Sequence, residues 1–157
     1  MATNTRYAVA IHAAGMIALT EKMRVSSEMI ARSVGTNPVV VRRVISLLAK
    51  HGLVEVRKGQ SGGAALSRPP SQITLDELYR AVEPQPLMAV PKAMPAGNAA
   101  ADCPVARFVG PVLVEFFAHA EAGFIERLTK FTLADVLAAV EQRMAASGVC
   151  SKKKIGD

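Results

Sequence analysis

Apolar residues recur at helical spacing in the stretch between Asn37 and Gly52. They are Val41, Val44, Ile45 and Leu48. They fall on one face of a helix, which predicts a side that packs into a core. Asn37 is a favourable N-cap, Pro38 fits the first helical position, and Gly52 suits a left-handed helix end. The outward face then consists of Val39, Val40, Arg42, Arg43 and Ser46.

Two helices are predicted before this one. In the segment 7–19, one stripe holds Tyr7, Ile11, Ala14 and Ala18. A second helix through Met29, Ile30 and Val34 can be capped by Ser26 or Ser27, and residues 35–36 form the turn that follows. A helix, a turn and a helix within about two dozen residues is the arrangement that lays a second helix in the major groove of DNA.

A β-hairpin is predicted directly after the third helix. Residues 53–57 alternate as a strand, residues 58–63 form a turn rich in Gly and Ser, and residues 64–67 return as a second strand. A basic hairpin in this place is typical of the wing of a winged helix-turn-helix.

The C-terminal half begins with a capped helix and a linker. Thr74 and Glu77 form a capping box for a helix containing Leu75, Leu78, Tyr79 and Val82. Residues 84–104 hold many Pro and small residues, which is typical of a linker.

A long helix is predicted from Val105, with a kink near Arg107 caused by Pro111. One apolar stripe holds Val105, Val109, Val112 and Phe116, and another holds Leu113, Phe117, Ala120, Phe124 and Leu128. One small domain cannot bury both apolar stripes of this helix. We therefore interpret the helix as a dimerisation element. A last helix starts at Thr132, with Asp135 completing another capping box.

These elements predict a mainly α fold with a small β-wing. We expect a winged helix-turn-helix domain at 1–83, a linker at 84–104, the dimerisation and closing helices at 105–146, and a disordered basic tail at 147–157. The helical content also agrees with a composition that is 50% hydrophobic but only 4% aromatic.

Positive charge is concentrated in the N-terminal half. Residues 1–68 hold ten Lys and Arg against three Asp and Glu, whereas residues 69–157 hold nine against ten. Together with the helix-turn-helix pattern, this asymmetry predicts phosphate neutralisation on double-stranded DNA. We expect phosphate contacts from Arg24, Arg32, Lys50 and Arg57.

Other classes of function find little support in the sequence. The apolar segment 7–19 is interrupted by His12 and lacks a cleavage site, so we expect a cytoplasmic protein without a membrane segment. His12, His51 and His119 are isolated, and no nucleophile elbow, phosphate loop or Cys/His metal spacing is present. The sequence therefore predicts neither an enzyme nor a bound metal or cofactor.

Three motifs in order resemble a known family: YAVAIHAA, NPVVVRRVISLLAKHGLV followed by GQSGG, and SRPPSQITLDELYRAVE. The chain resembles the bacterial winged-helix regulators typified by IscR, NsrR and CymR, and the likeness continues through Cys103-Pro104 and LTKFTLADVL. It implies a homodimer that binds a palindromic operator, usually as a repressor, with a long helix crossing to the partner. At Ala64 the chain departs from the aromatic residue that many members carry.

The resemblance also implies which residues contact DNA. It places Val39, Val40, Arg42 and Arg43 at the start of the recognition helix, Lys58 in the wing near the minor groove, and Arg6 and Tyr7 near the DNA backbone. The full candidate set is Arg6, Tyr7, Asn37, Val39, Val40, Arg42, Arg43, Arg57, Lys58, Gln60 and Ser61. Two alternatives stay open here. Val39 and Val40 either contact thymine methyl groups or pack inside the domain, and each arginine contacts either guanine or phosphate.

Cysteine usage separates this chain from the cluster-binding members that it resembles. Those members place three cysteines about six residues apart before the long helix, and thiolates hold the iron. Here Cys103 fits the last position, but Gly97 and Pro91 occupy the other two, so we expect a branch without a conventional iron-sulfur cluster. Cys103 is either a thiol sensor, with Cys150 as a resolving partner, or a residue without a redox role.

We therefore expect a homodimeric DNA-binding regulator whose dimer contacts come from Val105, Val109, Val112, Phe116, Phe117 and Phe124. Three alternatives remain at this point. The winged helix could be a protein-protein assembly module, or regulation could act through the thiol of Cys103. A small effector could also bind in a pocket between the long helix and the winged domain, with the linker as its lid.

Overall fold

The computed structural model describes residues 5–20, 25–57, 59, 62–83, 85–88, 90 and 103–148. In chain order the elements are α1 (Arg6–Leu19), α2 (Ser27–Val34), α3 (Pro38–Lys50), β1 (Val54–Arg57), β2 (Gly63–Leu66), α4 (Leu75–Val82), α5 (Pro104–Leu128) and α6 (Leu133–Ala146). The fold is mainly helical with one antiparallel hairpin, as the sequence predicts. The hairpin pairs Val54 with Leu66 and Arg57 with Gly63.

The described residues of Met1–Pro84 and Leu128–Asp157 form one compact unit, and those of Gln85–Arg127 form a second. The core of the first unit is aliphatic. Its largest fully buried side chains are Ile30, Leu48, Leu53, Ile73, Leu78, Leu133, Val25, Val41, Val44 and Val82. In α1 the buried face centres on Ala10, Ala13 and Ala14, while Tyr7, Ile11 and Ala18 lie at its margin.

The last helix, α6, belongs to the winged-helix unit. The backbone N–H of Leu133 donates to the carbonyl of Ile73 at 2.8 Å, and that of Leu75 donates to the carbonyl of Phe131 at 2.9 Å. Leu133 is fully buried in the same core. This placement differs from the sequence-based grouping of α6 with the long helix, because these pairings join residues nearly 60 positions apart, which no local pattern reveals.

The capping predictions are confirmed. The backbone N–H of Thr74 donates to the Glu77 carboxylate at 3.0 Å, and that of Thr132 donates to Asp135 at 2.7 Å. Glu77 also accepts from the guanidinium of Arg68, which ties the end of the hairpin to α4. Burial by itself raises the pKa of Glu77, but the donors from Thr74 and Arg68 outweigh it and leave the pKa below its ordinary value.

We expect Glu77→Ala to lower the free energy of unfolding by about 1 kcal/mol at neutral pH, the usual size of a lost cap. Because the folded-state pKa is depressed, this contribution is present above the unfolded pKa and is lost as pH falls through the folded value. Urea unfolding at several pH values measures it. Glu77→Gln is the matched control, since its amide oxygen can still accept from Thr74. A variant as stable as the wild type at neutral pH would contradict the prediction.

Helix α5 dominates the second unit. The backbone N–H of Leu87 donates to the Glu121 carboxylate at 3.2 Å, so the start of the linker lies beside this helix. Exposed apolar side chains at helical spacing form a stripe that we call the α5 stripe, consisting of Val105, Phe108, Val112 and Phe116. By length and hydropathy alone, Phe108–Leu128 is also sufficient to cross a membrane, with a mean hydropathy of 1.4.

Candidate nucleic-acid interface

Two capped helices present the candidate interface. Ser26 caps α2 by accepting from the backbone N–H of Met29 at 3.2 Å. The helix ends at Gly35, whose φ of 73° favours glycine. Asn37 then caps α3 by accepting from the N–H of Val39 at 2.8 Å, with Pro38 in the first turn. The side-chain oxygen of Asn37 is thereby engaged in capping α3. Its side-chain N–H groups remain as donors for DNA.

Helix α3 has one buried and one open face, as predicted. Val41, Val44 and Leu48 are fully buried. Val39 is 45% exposed and Val40 is 37% exposed. The two valines therefore do not pack in the core, and their methyl groups are open to a partner. Arg42, Arg43 and Ser46 are exposed on the same outward side.

The outward side of α3 continues into a cleft. The cleft has a volume of about 700 Å³ and lies between the start of α2, the helix α3 and the hairpin. Arg42 and Ser46 line it from α3, and Val56 and Arg57 line it from β1. We call Val39, Val40, Arg42, Arg43 and Arg57 the reading surface.

An ion pair crosses the cleft. Nη1 of Arg42 lies 3.2 Å from Oε1 of Glu28, and both side chains are more than half exposed. The backbone N–H of Glu28 and the hydroxyl of Ser27 donate to this carboxylate, and together with the charge of Arg42 they lower the pKa of Glu28. Glu28 is therefore negatively charged at neutral pH. The sequence analysis did not select Glu28, because its pairing with Arg42 depends on how α2 crosses α3.

The two candidates at the start of α1 have partners within their own domain. The hydroxyl of Tyr7 donates to the carbonyl of Leu75 at 2.9 Å, and its ring lies edge-on against Tyr79 at 5.3 Å. Burial, followed by the charge of Asp76 and by Tyr79, raises the pKa of Tyr7 to about 12. A phenol has one proton to donate, so Tyr7 holds α1 to α4 and is not free to donate to a phosphate.

Arg6 has a different position from Tyr7. Its Nε lies 4.0 Å from Oε1 of Glu83, whose side chain is buried, while the Arg6 side chain is 52% exposed. Arg6 thus lies close enough to a buried carboxylate for an ion pair, and its half-exposed guanidinium has further N–H groups for another partner. Its predicted contact with the DNA backbone stays a prediction.

The remaining candidates divide by where they lie in the chain. Arg32 and Lys50 are exposed in the winged-helix unit. Four predicted DNA contacts, Arg24, Lys58, Gln60 and Ser61, lie outside the described residues, as does Cys150.

Of the predicted dimer contacts, Val105, Val112 and Phe116 are exposed, whereas Val109, Phe117 and Phe124 are partly buried. Phe108, which the sequence analysis did not select, completes the α5 stripe.

A comparison with known families decides the class of protein. The profile of the Rrf2 family, described as iron-dependent transcriptional regulators, matches residues 3–139. The chain belongs to the Rrf2 family. YwnA of Bacillus subtilis (strain 168), named as an HTH-type transcriptional regulator, is 43% identical over 135 residues, which cover 85% of this Rrf2 protein and 96% of YwnA. The family resemblance seen in the sequence is confirmed.

Solved structures agree with this assignment. A crystal structure described as a DNA-binding protein is 40% identical, with a TM-score of 0.64, over 84% of this chain and 98% of that one. CymR, the global cysteine regulator of B. subtilis, shares the fold at 20% identity and a TM-score of 0.62, over 88% of this chain and 98% of CymR. The Rrf2 protein is thus a DNA-binding transcriptional regulator with a winged-helix fold, and its family consists of regulators rather than enzymes.

The iron in the family description can be tested against the donors of this Rrf2 protein. The chain contains two cysteines in all, and Cys103 is exposed immediately before α5. In the part of the chain that the structure describes, no three His, Cys, Asp or Glu side chains are grouped to hold a metal ion. Because protein-bound clusters are held mainly by cysteine thiolates, the donors do not fit a cluster with three cysteine ligands from one chain.

Proposed function

We propose that the protein is a homodimeric repressor that binds a palindromic operator through two copies of the reading surface. The observation that carries the proposal is the open face of α3, where two half-exposed valines lie beside two exposed arginines. Valine methyl groups suit thymine methyls, and arginine suits guanine or phosphate. In a symmetric dimer the two recognition helices enter major grooves one turn, or a multiple of it, apart. Occupying such an operator blocks other proteins from the same DNA.

The α5 stripe supports self-association. Phe116 is 68% exposed and Phe108 is 58% exposed, which is unusual for large apolar side chains aligned on one helix. Two copies of the stripe related by a two-fold axis cover each other, since such an interface pairs a surface with itself. We therefore assign the stripe to a second copy of this chain.

A membrane is the less favourable partner for this helix. The segment Phe108–Leu128 carries three glutamates, Glu115, Glu121 and Glu126, as well as Arg127. Charged side chains are costly inside a bilayer. The regulator thus acts in the cytoplasm, where its DNA is.

The donor set supports a regulator that works without a conventional iron-sulfur cluster. The exposed thiol of Cys103 keeps the thiol-sensor hypothesis open as a prediction, with Cys150 as its proposed resolving partner. A small effector that binds beside the long helix remains the other proposed route by which a signal reaches the DNA.

Binding to double-stranded DNA should depend steeply on salt. If Arg24, Arg32, Lys50 and Arg57 each neutralise one phosphate in both copies, the slope of log K against log salt is about −7. Fluorescence anisotropy with the duplex upstream of the protein's own gene measures this slope. The control compares two unlabelled competitors, one with the upstream sequence and one with an unrelated sequence, because a regulator is displaced more readily by its own sequence. A slope near zero, or equal displacement by the two competitors, would contradict the proposal.

A further inference from the structure

Among the described residues that line the cleft, Glu28 carries the one negative charge, and Arg42 and Arg57 carry positive charges. Glu28 is the second residue of α2, lines the cleft, and lies 3.2 Å from Arg42. Phosphates of a docked duplex repel a carboxylate at this position, so Glu28 lowers the affinity for duplex DNA of any sequence. If Glu28 only weakened DNA binding, its position in the cleft would have no functional explanation. A favourable effect on sequence recognition would explain it.

The geometry of the ion pair supplies that consequence. Arginine has five N–H groups, and the contact with Glu28 engages Nη1 alone. Donors therefore remain for the two hydrogen bonds by which arginine recognises the O6 and N7 atoms of guanine. An arginine without such a restraint samples many rotamers and can reach the nearest phosphate, whereas a restrained one meets base edges in a single orientation.

We propose that Glu28 is a specificity-determining positioning residue, which holds Arg42 for base recognition and disfavours duplexes that lack the matching base pair. The proposal rests on the proposed function, because it requires DNA to dock on the reading surface. It differs from a purely electrostatic role, in which removing the charge strengthens binding to all sequences by the same factor.

The test compares two duplexes of equal length. One is selected by the wild-type protein from a random-sequence library, and the other is a scrambled version of it. We expect Glu28→Gln to bind the scrambled duplex more tightly and to reduce the ratio of the two dissociation constants by about fivefold or more. In an Arg42→Ala background, Glu28→Gln should leave the ratio unchanged, since the arginine that it positions is absent.

Glu55→Gln is the matched control. Glu55 is exposed on β1, beside the cleft but not among its lining residues. The substitution removes the same charge and should leave the ratio as in the wild type. If Glu28→Gln strengthens binding to both duplexes by the same factor, the inference is overturned while the proposed function stands. Failure of the wild-type protein to prefer its selected duplex instead overturns the proposed function, and the inference with it.

Discussion

Replacing Phe116 with Glu should convert the protein to a monomer and lower its affinity for a two-half-site operator by about a hundredfold or more. Phe116 is 68% exposed in a single chain, so the substitution costs the fold of that chain little. In a symmetric dimer it enters the interface twice and places two like charges at the paired stripes. Without the dimer, each winged helix binds its half-site alone. The additional affinity that comes from linking the two half-site contacts is then lost.

Sedimentation velocity measures the mass of the free protein, and anisotropy with one-site and two-site duplexes measures the affinity. We expect Phe116→Glu to bind the two duplexes almost equally. Ala118→Glu is the matched control, because Ala118 is also exposed on α5 but lies about 200° around the helix from Phe116. A monomer produced by Ala118→Glu and not by Phe116→Glu would place the interface on the opposite face.

Local signals in the sequence predicted most of the fold. Asn37 and Thr132 each accept from a backbone N–H within three residues, so their caps can be read directly from the order of residues. The buried face of α3 follows in the same way from the spacing of Val41, Val44 and Leu48. These features depend on helical geometry alone, and they sufficed to place α3. The hairpin followed from the alternation of residues 53–57 and from the turn after them, which is rich in Gly and Ser.

Features that depend on tertiary packing could not be predicted from the sequence. The hydroxyl of Tyr7 meets the carbonyl of Leu75, 68 residues away, which removes Tyr7 from the donors available to DNA. The pairing of Glu28 with Arg42 likewise joins two helices. Helix α6 joins the core through Leu133, although its sequence resembles that of any amphipathic helix. In each case the partner residue is determined by how two secondary-structure elements pack against each other. Local patterns in a single sequence do not reveal that packing.

The second large effect is expected from Arg43→Ala, which should weaken binding to the selected duplex by about 5- to 150-fold, equivalent to about 1–3 kcal/mol. Arg43 is exposed on the reading surface. Among the described residues it has no carboxylate partner within ion-pair distance, in contrast to Arg42. Its guanidinium is therefore available to DNA without first breaking an internal contact. Anisotropy at fixed physiological salt measures the loss, and Arg143→Ala, which removes an exposed charge from α6, is the matched control.

Arg43→Lys distinguishes the two contacts that an arginine can make. Lysine keeps the point charge that a phosphate needs but lacks the planar fork that recognises guanine. If Arg43 binds phosphate, the lysine variant retains most of the affinity, and the salt slope falls by about two for Arg43→Ala in the dimer. If Arg43 reads guanine, both variants lose affinity for the selected duplex and discriminate less at one base pair of each half-site. Unchanged affinity in Arg43→Ala would mean that the start of α3 does not enter the groove, and the docking proposed for the reading surface would then be wrong.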